Sequence, residues 1–321
     1  MTRFPRRATF RLNLPSRSLV LGPRTLVMGV LNLTPDSFYG ASRSVHPADA
    51  AARALAMERA GADILDIGGE STRPGSRGIS VEEELRRVLP VLELLRGRLR
   101  IPISIDTQKA EVAEAAAAAG AEILNDVSAL RSDRALAEVA RLRKLPVVLM
   151  HMRGTPRTMQ QGPFARDVVK DVQRGLREAL ARARLAGVPR SQVILDPGIG
   201  FGKSFSQNFE LLARLGELAS LGCPLLVGTS RKTFIGAAAA QSFLALPAPT
   251  TRGKRSPRAP KSPIKVSPPS ERLWGTAATV AAVIFAGAHI VRVHDVAEMV
   301  QVARIADAIL HRRAGSRRGQ L

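Results

Sequence analysis

The most constraining feature of this sequence is an alternation of short apolar runs with longer stretches of helical character. Eight apolar runs have the length of buried strands and occur at Thr25–Leu31, Asp63–Ile67, Ile101–Asp106, Glu122–Asn125, Pro146–Met150, Gln192–Asp196, Pro224–Gly228 and His289–Val293. Helical periodicity marks the segments between them, among them Pro47–Ala60, Val81–Arg96, Gln108–Ala119 and Phe164–Ala186. Eight such units in 321 residues predict an α/β fold, a closed parallel (β/α)8 TIM barrel.

The segment before the first barrel strand has the pattern of a β-hairpin. Residues alternate in character over Thr9–Leu14, and Ser18–Leu21 follows a Pro-Ser-Arg turn. We therefore expect one domain over residues 1–321, with a flexible basic start over residues 1–8 and an N-terminal β-hairpin behind it.

The formal net charge of +21 is concentrated in three segments that contain no acidic residue. Residues 1–24, 241–270 and 311–321 together hold sixteen Lys and Arg, which leaves +5 for the rest of the chain. Seven prolines in Pro247–Ser270 predict a solvated insert over residues 245–270, and the last segment predicts a basic tail over 313–321. Because a nucleic-acid-reading face usually mixes basic and stacking aromatic residues on folded structure, nucleic acid is not the expected partner.

Two further counts concern the compartment. No apolar run approaches the roughly 18 residues that span a bilayer, so no membrane partner is expected. The single cysteine, Cys223, excludes an internal disulfide and favours a reducing cytoplasmic location.

Polar residues follow the predicted strands at the positions where they end. They are Asn32, the loop Gly68–Ser76, Asp106, the pair Asn125 and Asp126, Asp196, Thr229–Lys232, and Arg292 with His294. In such a barrel these ends meet at one mouth, where the chemistry lies. Basic groups there suit a phosphate, whereas a carboxylate suits a ligand edge rich in N–H donors. Two roles remain open for His151: it lines this site, or it is a structural histidine whose hydrogen bonds are satisfied within the fold.

The stretch "DPGIGFGKS" (Asp196–Ser204) resembles a phosphate-binding P-loop at first sight. The P-loop spacing requires glycine at the position that Pro197 occupies, so that interpretation fails. What remains is a carboxylate at the end of an apolar run, followed by a turn whose glycines permit close approach of backbone and ligand.

Seven motifs in register carry a resemblance to the dihydropteroate synthase family. They are "MGVLNLTPDSF" (28–38), "DIGGESTRPGS" (66–76), "SIDT" (104–107), "ILNDVSAL" (123–130), "ILDPGIGFGK" (194–203), "GTSRKTFIG" (228–236) and "RVHD" (292–295). The family joins 6-hydroxymethyl-7,8-dihydropterin pyrophosphate to para-aminobenzoate and releases pyrophosphate in folate synthesis. The resemblance therefore implies a transferase with these two small-molecule substrates, a sulfonamide target and a homodimer.

The resemblance also implies site residues. The implied pterin contacts are Asp106, Asn125, Asp196 and Lys232, and the family, not the spacing, chooses Asn125 over Asp126. The implied pyrophosphate contacts are Asn32, Thr72, Arg73, Arg292 and His294, with Asn32 also holding Mg²⁺, the expected cofactor. The implied aminobenzoate contacts are Phe38, Pro74, Phe201 and Ser230. The implied catalytic set is Asp36, Asp106, Lys232, Arg292 and His294.

Two other functions remain open from the residues. One is a pterin-binding barrel that acts as a methyltetrahydrofolate-corrinoid methyltransferase, which has little use for the "STRPGS" and "SRK" motifs. The other is a catalytically idle barrel whose basic insert binds a polyanion. Release of pyrophosphate that depends on para-aminobenzoate separates all three.

Overall fold

The computed structural model describes residues 7–34, 46–73, 75–159, 161, 164–240 and 266–315. Its strands are β1 (Phe10–Asn13), β2 (Ser18–Leu21), β3 (Leu26–Asn32), β4 (Ile64–Gly68), β5 (Ile103–Asp106), β6 (Ala121–Asp126), β7 (Val147–Met150), β8 (Val193–Asp196), β9 (Leu226–Val227) and β10 (Ile290–Val293). Its α-helices are α1 (Pro47–Arg59), α2 (Val81–Leu95), α3 (Ala110–Ala118), α4 (Ala135–Leu142), α5 (Val168–Leu185), α6 (Phe205–Ala213), α7 (Thr233–Ala239), α8 (Leu273–Phe285) and α9 (Val296–Gly315). The predicted barrel strands all form, within two residues of the expected bounds.

The eight strands β3 to β10 form one parallel barrel. Their order is β8-β7-β6-β5-β4-β3-β10-β9, and a parallel bridge between Leu195 and Leu225 joins the two edges of the sheet. Because this bridge joins the two edges, the sheet closes on itself, and the predicted (β/α)8 barrel is confirmed.

Helix α5 begins later than predicted for a local reason. The predicted start is Phe164, whereas the helix begins at Val168 because the side chain of Asp167 accepts hydrogen bonds from the backbone of Val169 and Lys170, both at 3.1 Å. A carboxylate at this position satisfies amide groups that have no partner inside the helix. The last helical residue, Leu185, lies one position from the expected end.

The predicted N-terminal hairpin is confirmed and closes one end of the barrel. Strands β1 and β2 pair antiparallel, and three leucines of the segment, Leu12, Leu14 and Leu21, pack into the barrel's interior apolar cluster. Polar side chains line the opposite end of the barrel, where the carboxyl ends of the strands lie. Because the hairpin blocks one end of the barrel, the site must lie at the other end, the C-terminal mouth.

Residues 7 and 8, which were predicted to belong to a flexible start over residues 1–8, are held in the folded structure. Arg7 donates to Asp307 at 2.5 Å and to the hydroxyl of Thr25 at 2.6 Å, and only 5% of its side chain is exposed. The carbonyl of Ala8 lies 3.1 Å from Nε2 of His289. Residues 1–6 lie outside the described residues.

Parts of the predicted insert (245–270) and of the predicted tail (313–321) also belong to the folded structure. The backbone of Ser267 pairs with Gly236, and its carbonyl accepts the guanidinium of Arg272, so residues 266–270 belong to the folded barrel. Helix α9 extends to Gly315 and includes part of the expected 313–321 tail. Residues 241–265 and 316–321 lie outside the described residues. Among the described helices, none combines the length and apolar character needed to cross a membrane.

Candidate active site

One row of residues lies in register along the mouth of the barrel. Asn32 on β3 is opposite Gly68 on β4, Gly68 is opposite Asp106 on β5, and Asp106 is opposite Asn125 on β6. Asp106 and Asn125 are buried, and Asn32 is half-buried. The fold thus brings together three of the residues predicted from separate motifs.

Arg292 on β10 joins this row to the barrel interior. Its Nε donates to Oδ2 of Asp66 at 2.6 Å, and its Nη2 donates to Oδ2 of Asp106 at 2.8 Å. The Nδ2 of Asn125 donates to the same oxygen of Asp66 at 3.1 Å. Asp66, Asp106, Asn125 and Arg292 therefore form one hydrogen-bonded group, hereafter the Asp66 cluster.

Asp66 is a residue that the sequence analysis missed. It is fully buried, and strand alternation places it on the inward face of β4 with Ile64 and Gly68. Its Oδ1 has no hydrogen-bond partner among the described groups, and neither has the buried hydroxyl of Ser104, its opposite residue on β5. A carboxylate in the middle of the apolar run "DILDI" was the available signal, because a buried charge needs a partner.

The Asp66 cluster holds two carboxylates around one guanidinium, and this imbalance affects protonation. Burial raises the pKa of Asp106 to about 8, with Arg292 opposing the shift and Asp66 adding to it. For Arg292, burial lowers the pKa, but Asp66 and Asp106 outweigh it, so the pKa is raised. Arg292 therefore stays cationic, and Asp106 retains a proton in part of the population at neutral pH, when it can donate as well as accept.

The structure distinguishes Asn125 from its neighbour Asp126. Asn125 points into the barrel toward Asp66, whereas Asp126 accepts from the backbone amides of Ser128, at 2.7 Å, and Leu130. Those contacts hold a turn in which Ala129 and Leu130 have positive φ. Asn125 faces the mouth, and Asp126 stabilises the following loop.

Asp196 ends β8 with one carboxylate oxygen already held. Its Oδ1 accepts from the amide of Gly198 at 2.7 Å, and its carbonyl accepts from the amide of His151 at 2.9 Å. Gly198 has a φ of +66°, and a Cβ there would lie 1.9 Å from the carbonyl oxygen of His151. Only glycine fits this turn, which explains the first glycine of "DPGIGFGKS". Burial raises the pKa of Asp196, while Lys232 counteracts the shift.

Lys203 of the same stretch does not face the mouth. Only 2% of the residue is exposed, and its Nζ donates to the carbonyls of Gly198 at 2.8 Å and Phe201 at 3.0 Å. A P-loop lysine must reach a phosphate, so this orientation agrees with the rejection of a P-loop from spacing.

Lys232 lies on the other side of the glycine-rich loop. Its Nζ donates to the carbonyl of Ile199 and lies 4.7 Å from the centre of the Phe201 ring. Burial lowers the pKa of Lys232 to about 8, with Asp196 opposing and Arg292 reinforcing the shift. The predicted pterin contacts Lys232 and Asp196 thus border the same loop as the predicted aminobenzoate contact Phe201.

His294 and Ser230 form a second pair at the mouth. The Oγ of Ser230 accepts from the backbone amide of His294 at 3.1 Å and lies 3.0 Å from its Nδ1. Burial, reinforced by the charges of Arg292, Arg231 and Arg73, lowers the pKa of His294 to about 3. The imidazole is therefore neutral, and a hydrogen bond donated by the serine hydroxyl to Nδ1 would place the ring hydrogen on Nε2.

The loop after β4 supplies the remaining described candidates. Thr72 is half-buried and Arg73 is exposed, and the amide of Gly75 donates to the carbonyl of Pro156 at 3.0 Å. The positive charge of Arg73 is one of the causes that lower the pKa of His294. The predicted residues Asp36, Phe38 and Pro74 lie outside the described residues.

Known proteins were compared with this chain in sequence and structure. The pterin binding enzyme family matches residues 28–294. The dihydropteroate synthase of Escherichia coli strain K12 is 44% identical over 291 residues, covering 91% of this chain and 94% of that protein. The dihydropteroate synthase of Bacillus subtilis strain 168 is 40% identical over 289 residues, covering 90% of each.

Solved structures of high similarity carry the same name. Xanthomonas albilineans dihydropteroate synthase with 4-aminobenzoic acid superposes with a TM-score of 0.80 at 40% identity, covering 94% of this chain and 98% of that chain. The Yersinia pestis enzyme in a sulfonamide drug complex has a TM-score of 0.81 at 38% identity, covering 95% and 100%. The family model spans residues 28–294 and each of these relatives covers at least 90% of this chain, so the chain belongs to the dihydropteroate synthase family of pterin binding enzymes.

Proposed function

We propose that this chain condenses 6-hydroxymethyl-7,8-dihydropterin pyrophosphate with para-aminobenzoate, giving 7,8-dihydropteroate and pyrophosphate. The observation that carries the proposal is the composition of the mouth. The mouth combines the buried hydrogen-bonding groups of the Asp66 cluster and Asp196 with donors that suit phosphate, among them Arg292 and His294. The matching relatives include a Xanthomonas albilineans enzyme solved with 7,8-dihydropteroate.

The pterin end of the proposal rests on Asp196, Asp106, Asn125 and Lys232. Asp196 has one oxygen fixed by Gly198, so its other lone pairs can accept N–H groups from the aminopyrimidine edge of the pterin. Asp106, which exists in both protonation states, and the amide of Asn125 supply acceptors and donors for the rest of that edge. A flat ring with alternating donors and acceptors matches such a set.

The pyrophosphate end rests on Thr72, Arg73, Arg292 and His294. The neutral imidazole of His294 offers Nε2–H to a phosphate oxygen, while Arg73 and Arg292 contribute positive charge. As the bond from the methylene carbon to the pyrophosphate oxygen breaks, negative charge grows on the leaving group, and these donors stabilise it. The amine of para-aminobenzoate then attacks the methylene carbon, so no covalent enzyme intermediate is required.

Phe201 and Ser230, together with Phe38 and Pro74, are the proposed aminobenzoate contacts. The Phe201 ring lies beside Lys232 at the edge of the glycine-rich loop, in position to wall a slot for a second flat ring. The hydroxyl of Ser230 is engaged by His294, so a substrate carboxylate near Ser230 would compete with that contact. Exclusion of water from the pocket strengthens each of these polar contacts.

Mg²⁺ is proposed as the cofactor, with Asn32 as a protein ligand. No group of three or more His, Cys, Asp or Glu side chains in the described part of the chain forms a metal cage. One amide oxygen suits Mg²⁺, which keeps several waters and usually binds through substrate phosphates and few protein ligands. Bound there, the ion would neutralise charge on the pyrophosphate.

A homodimer and a cytoplasmic location complete the proposal. The outward row of α8, formed by Trp274, Ala278 and Ala282, is apolar, and Trp274 is 80% exposed. A large exposed aromatic residue on such a face is typical of a protein interface. Cys223 is a buried thiol without a disulfide, as expected in a reducing compartment.

The test is release of pyrophosphate by the purified chain supplied with the pterin pyrophosphate and Mg²⁺. The proposal predicts rapid release only when para-aminobenzoate is added, with 7,8-dihydropteroate formed in equal amount. Transfer of a methyl group to a corrinoid, or no turnover with either substrate pair, would contradict it.

A further inference from the structure

Lys203 is the motif residue that the proposed reaction leaves without a role, and its surroundings suggest one. Besides the carbonyls of Gly198 and Phe201, its Nζ lies 3.1 Å from Nδ1 of His151. The carbonyl oxygen of His151 lies at 3.4 Å, so the amino group has four acceptors within reach for at most three hydrogens. Among the described residues, no carboxylate oxygen lies within ion-pair distance of this nitrogen.

His151 is oriented to serve as the third acceptor. Since Nδ1 accepts from Lys203, Nε2 carries the ring hydrogen and faces Oδ2 of Asp171 at 3.6 Å. Burial holds the pKa of His151 well below its usual value, which keeps the ring neutral. The ring packs against Gly175 of α5, where a Cβ would lie 2.5 Å from Cδ2 of His151.

The contacts of Lys203 fix the loop that borders the candidate site. Its two carbonyl bonds turn the backbone oxygens of Gly198 and Phe201 inward, while the amide of Gly198 holds Asp196 on the opposite side. Phe201 belongs to this loop and to no strand or helix, whereas Asp106 and Asn125 belong to barrel strands. Loss of the Lys203 contacts should therefore displace Phe201 more than the strand residues.

We propose that Lys203, oriented by His151, is a positioning residue that holds the 198–201 loop and thereby the aminobenzoate wall formed by Phe201. The part that concerns aminobenzoate rests on the proposed function. Lys203 is too deeply buried to contact substrate itself, so it acts through the loop. His151 is accordingly a structural histidine with an indirect effect on the site.

The first experiment compares Lys203→Met with a control, Lys170→Met. Lys170 is a lysine on α5 whose side chain is 81% exposed. Hydrogen exchange of the amides at 198–202 should accelerate about tenfold or more in Lys203→Met and stay unchanged in the control, because the loop loses the donor that engages the carbonyl oxygens of Gly198 and Phe201. The KM for para-aminobenzoate should rise about tenfold, and by a larger factor than the Kd for the pterin pyrophosphate, because Asp106 and Asn125 stay in place on their strands. Unchanged exchange in the loop, or an unchanged KM together with an unchanged Kd, would overturn the inference.

A second variant keeps Lys203 and displaces its partner. Gly175→Ala should stabilise an ordinary helix, but here it pushes the His151 ring away from Lys203. Exchange at 198–202 should again accelerate while the amides of α5 do not, and normal exchange at the loop would count against the inference. The exchange readouts need no substrate, so absence of turnover in the unaltered chain would refute the proposed function without affecting them.

Discussion

Replacing Asp66 by Asn tests the buried group that the sequence analysis missed. In the native cluster, Oδ2 of Asp66 accepts two hydrogen bonds, from Arg292 at 2.6 Å and Asn125 at 3.1 Å. An amide oxygen can keep both bonds but loses the charge. A hydrogen bond to a charged group contributes about 1.5–3 kcal/mol, and one between neutral groups about 0.5–1.5 kcal/mol. The bond from Asn125 becomes one between neutral groups, and the bond from Arg292 keeps its charged donor but loses the ion pair, so the two changes together cost about 2–3 kcal/mol.

Part of this cost is offset because Asp66 and Asp106 repel each other across one guanidinium. Relief of about 1 kcal/mol leaves a net destabilisation of about 1–2 kcal/mol. Removing the cation with Arg292→Met should cost more, about 3–5 kcal/mol, because two buried carboxylates then lose their partner. Ser104→Ala is the matched control, since it removes a buried hydroxyl that has no partner among the described groups and should cost almost nothing.

The cost of Asp66→Asn should also depend on pH. The pKa of Asp106 is raised to about 8 in the folded chain, so the native state binds more protons than the unfolded state between about pH 4 and 8. Native stability contributed by this group therefore falls as pH rises through that window. Without Asp66 the pKa of Asp106 falls and this loss is smaller, so the penalty of Asp66→Asn should be larger at pH 5.5 than at pH 8.5.

Urea unfolding followed by circular dichroism measures these differences at both pH values. The expected order of destabilisation is Arg292→Met, then Asp66→Asn, then Ser104→Ala. A penalty for Asp66→Asn that is equal at the two pH values, or no larger than that of Ser104→Ala, would refute this account of the cluster.

Three further predictions address other parts of the chain. The His294 ring should show no NMR titration between pH 5 and 8, and its lowered pKa should cost stability as pH falls from 6.5 toward 3; a midpoint near 6.5 would contradict burial as the cause. Trp274→Glu should shift the chain to monomer in light scattering, unlike Leu142→Glu, at another exposed site; an unshifted mass would place the dimer interface elsewhere. Replacement of residues 247–265 by a short Gly/Ser linker should preserve turnover and change the free energy of unfolding by about 1 kcal/mol or less. It should also lower the salt concentration at which the chain elutes from heparin. Loss of activity at an unchanged Tm would assign the insert to the mouth.

The barrel was predictable because its information is local. Each strand run and helix carries its own periodicity, and an eightfold alternation has one closed solution. Boundaries were less accurate where a side chain intervenes, as Asp167 does at the start of α5. The contacts of Ser267 and Arg7 could not be read from composition, because both depend on partners far away in sequence.

The candidate site residues at the ends of strands could be predicted from the sequence, whereas Asp66, inside a strand, and the orientation of Lys203, inside a loop, could not. Asp106, Asn125, Asp196 and Arg292 end strands or nearly so, and the fold then places them at one mouth. Asp66 was missed because it stands inside an apolar run, where only its inward direction and its contact with Arg292 show its importance. The orientation of Lys203 was equally hidden, since the sequence does not show that His151 lies beside it.

The most direct test of the central claim, that Asp196 reads the pterin edge, is calorimetric titration with the pterin pyrophosphate. Asp196→Asn keeps an oxygen for the amide of Gly198 but presents a donor where the ligand needs an acceptor, so the Kd should rise about 30-fold or more. Asp49→Asn, which removes the same charge from the exposed surface of α1, should bind like the unaltered chain. Equal affinity of Asp196→Asn and Asp49→Asn for the ligand would contradict the account.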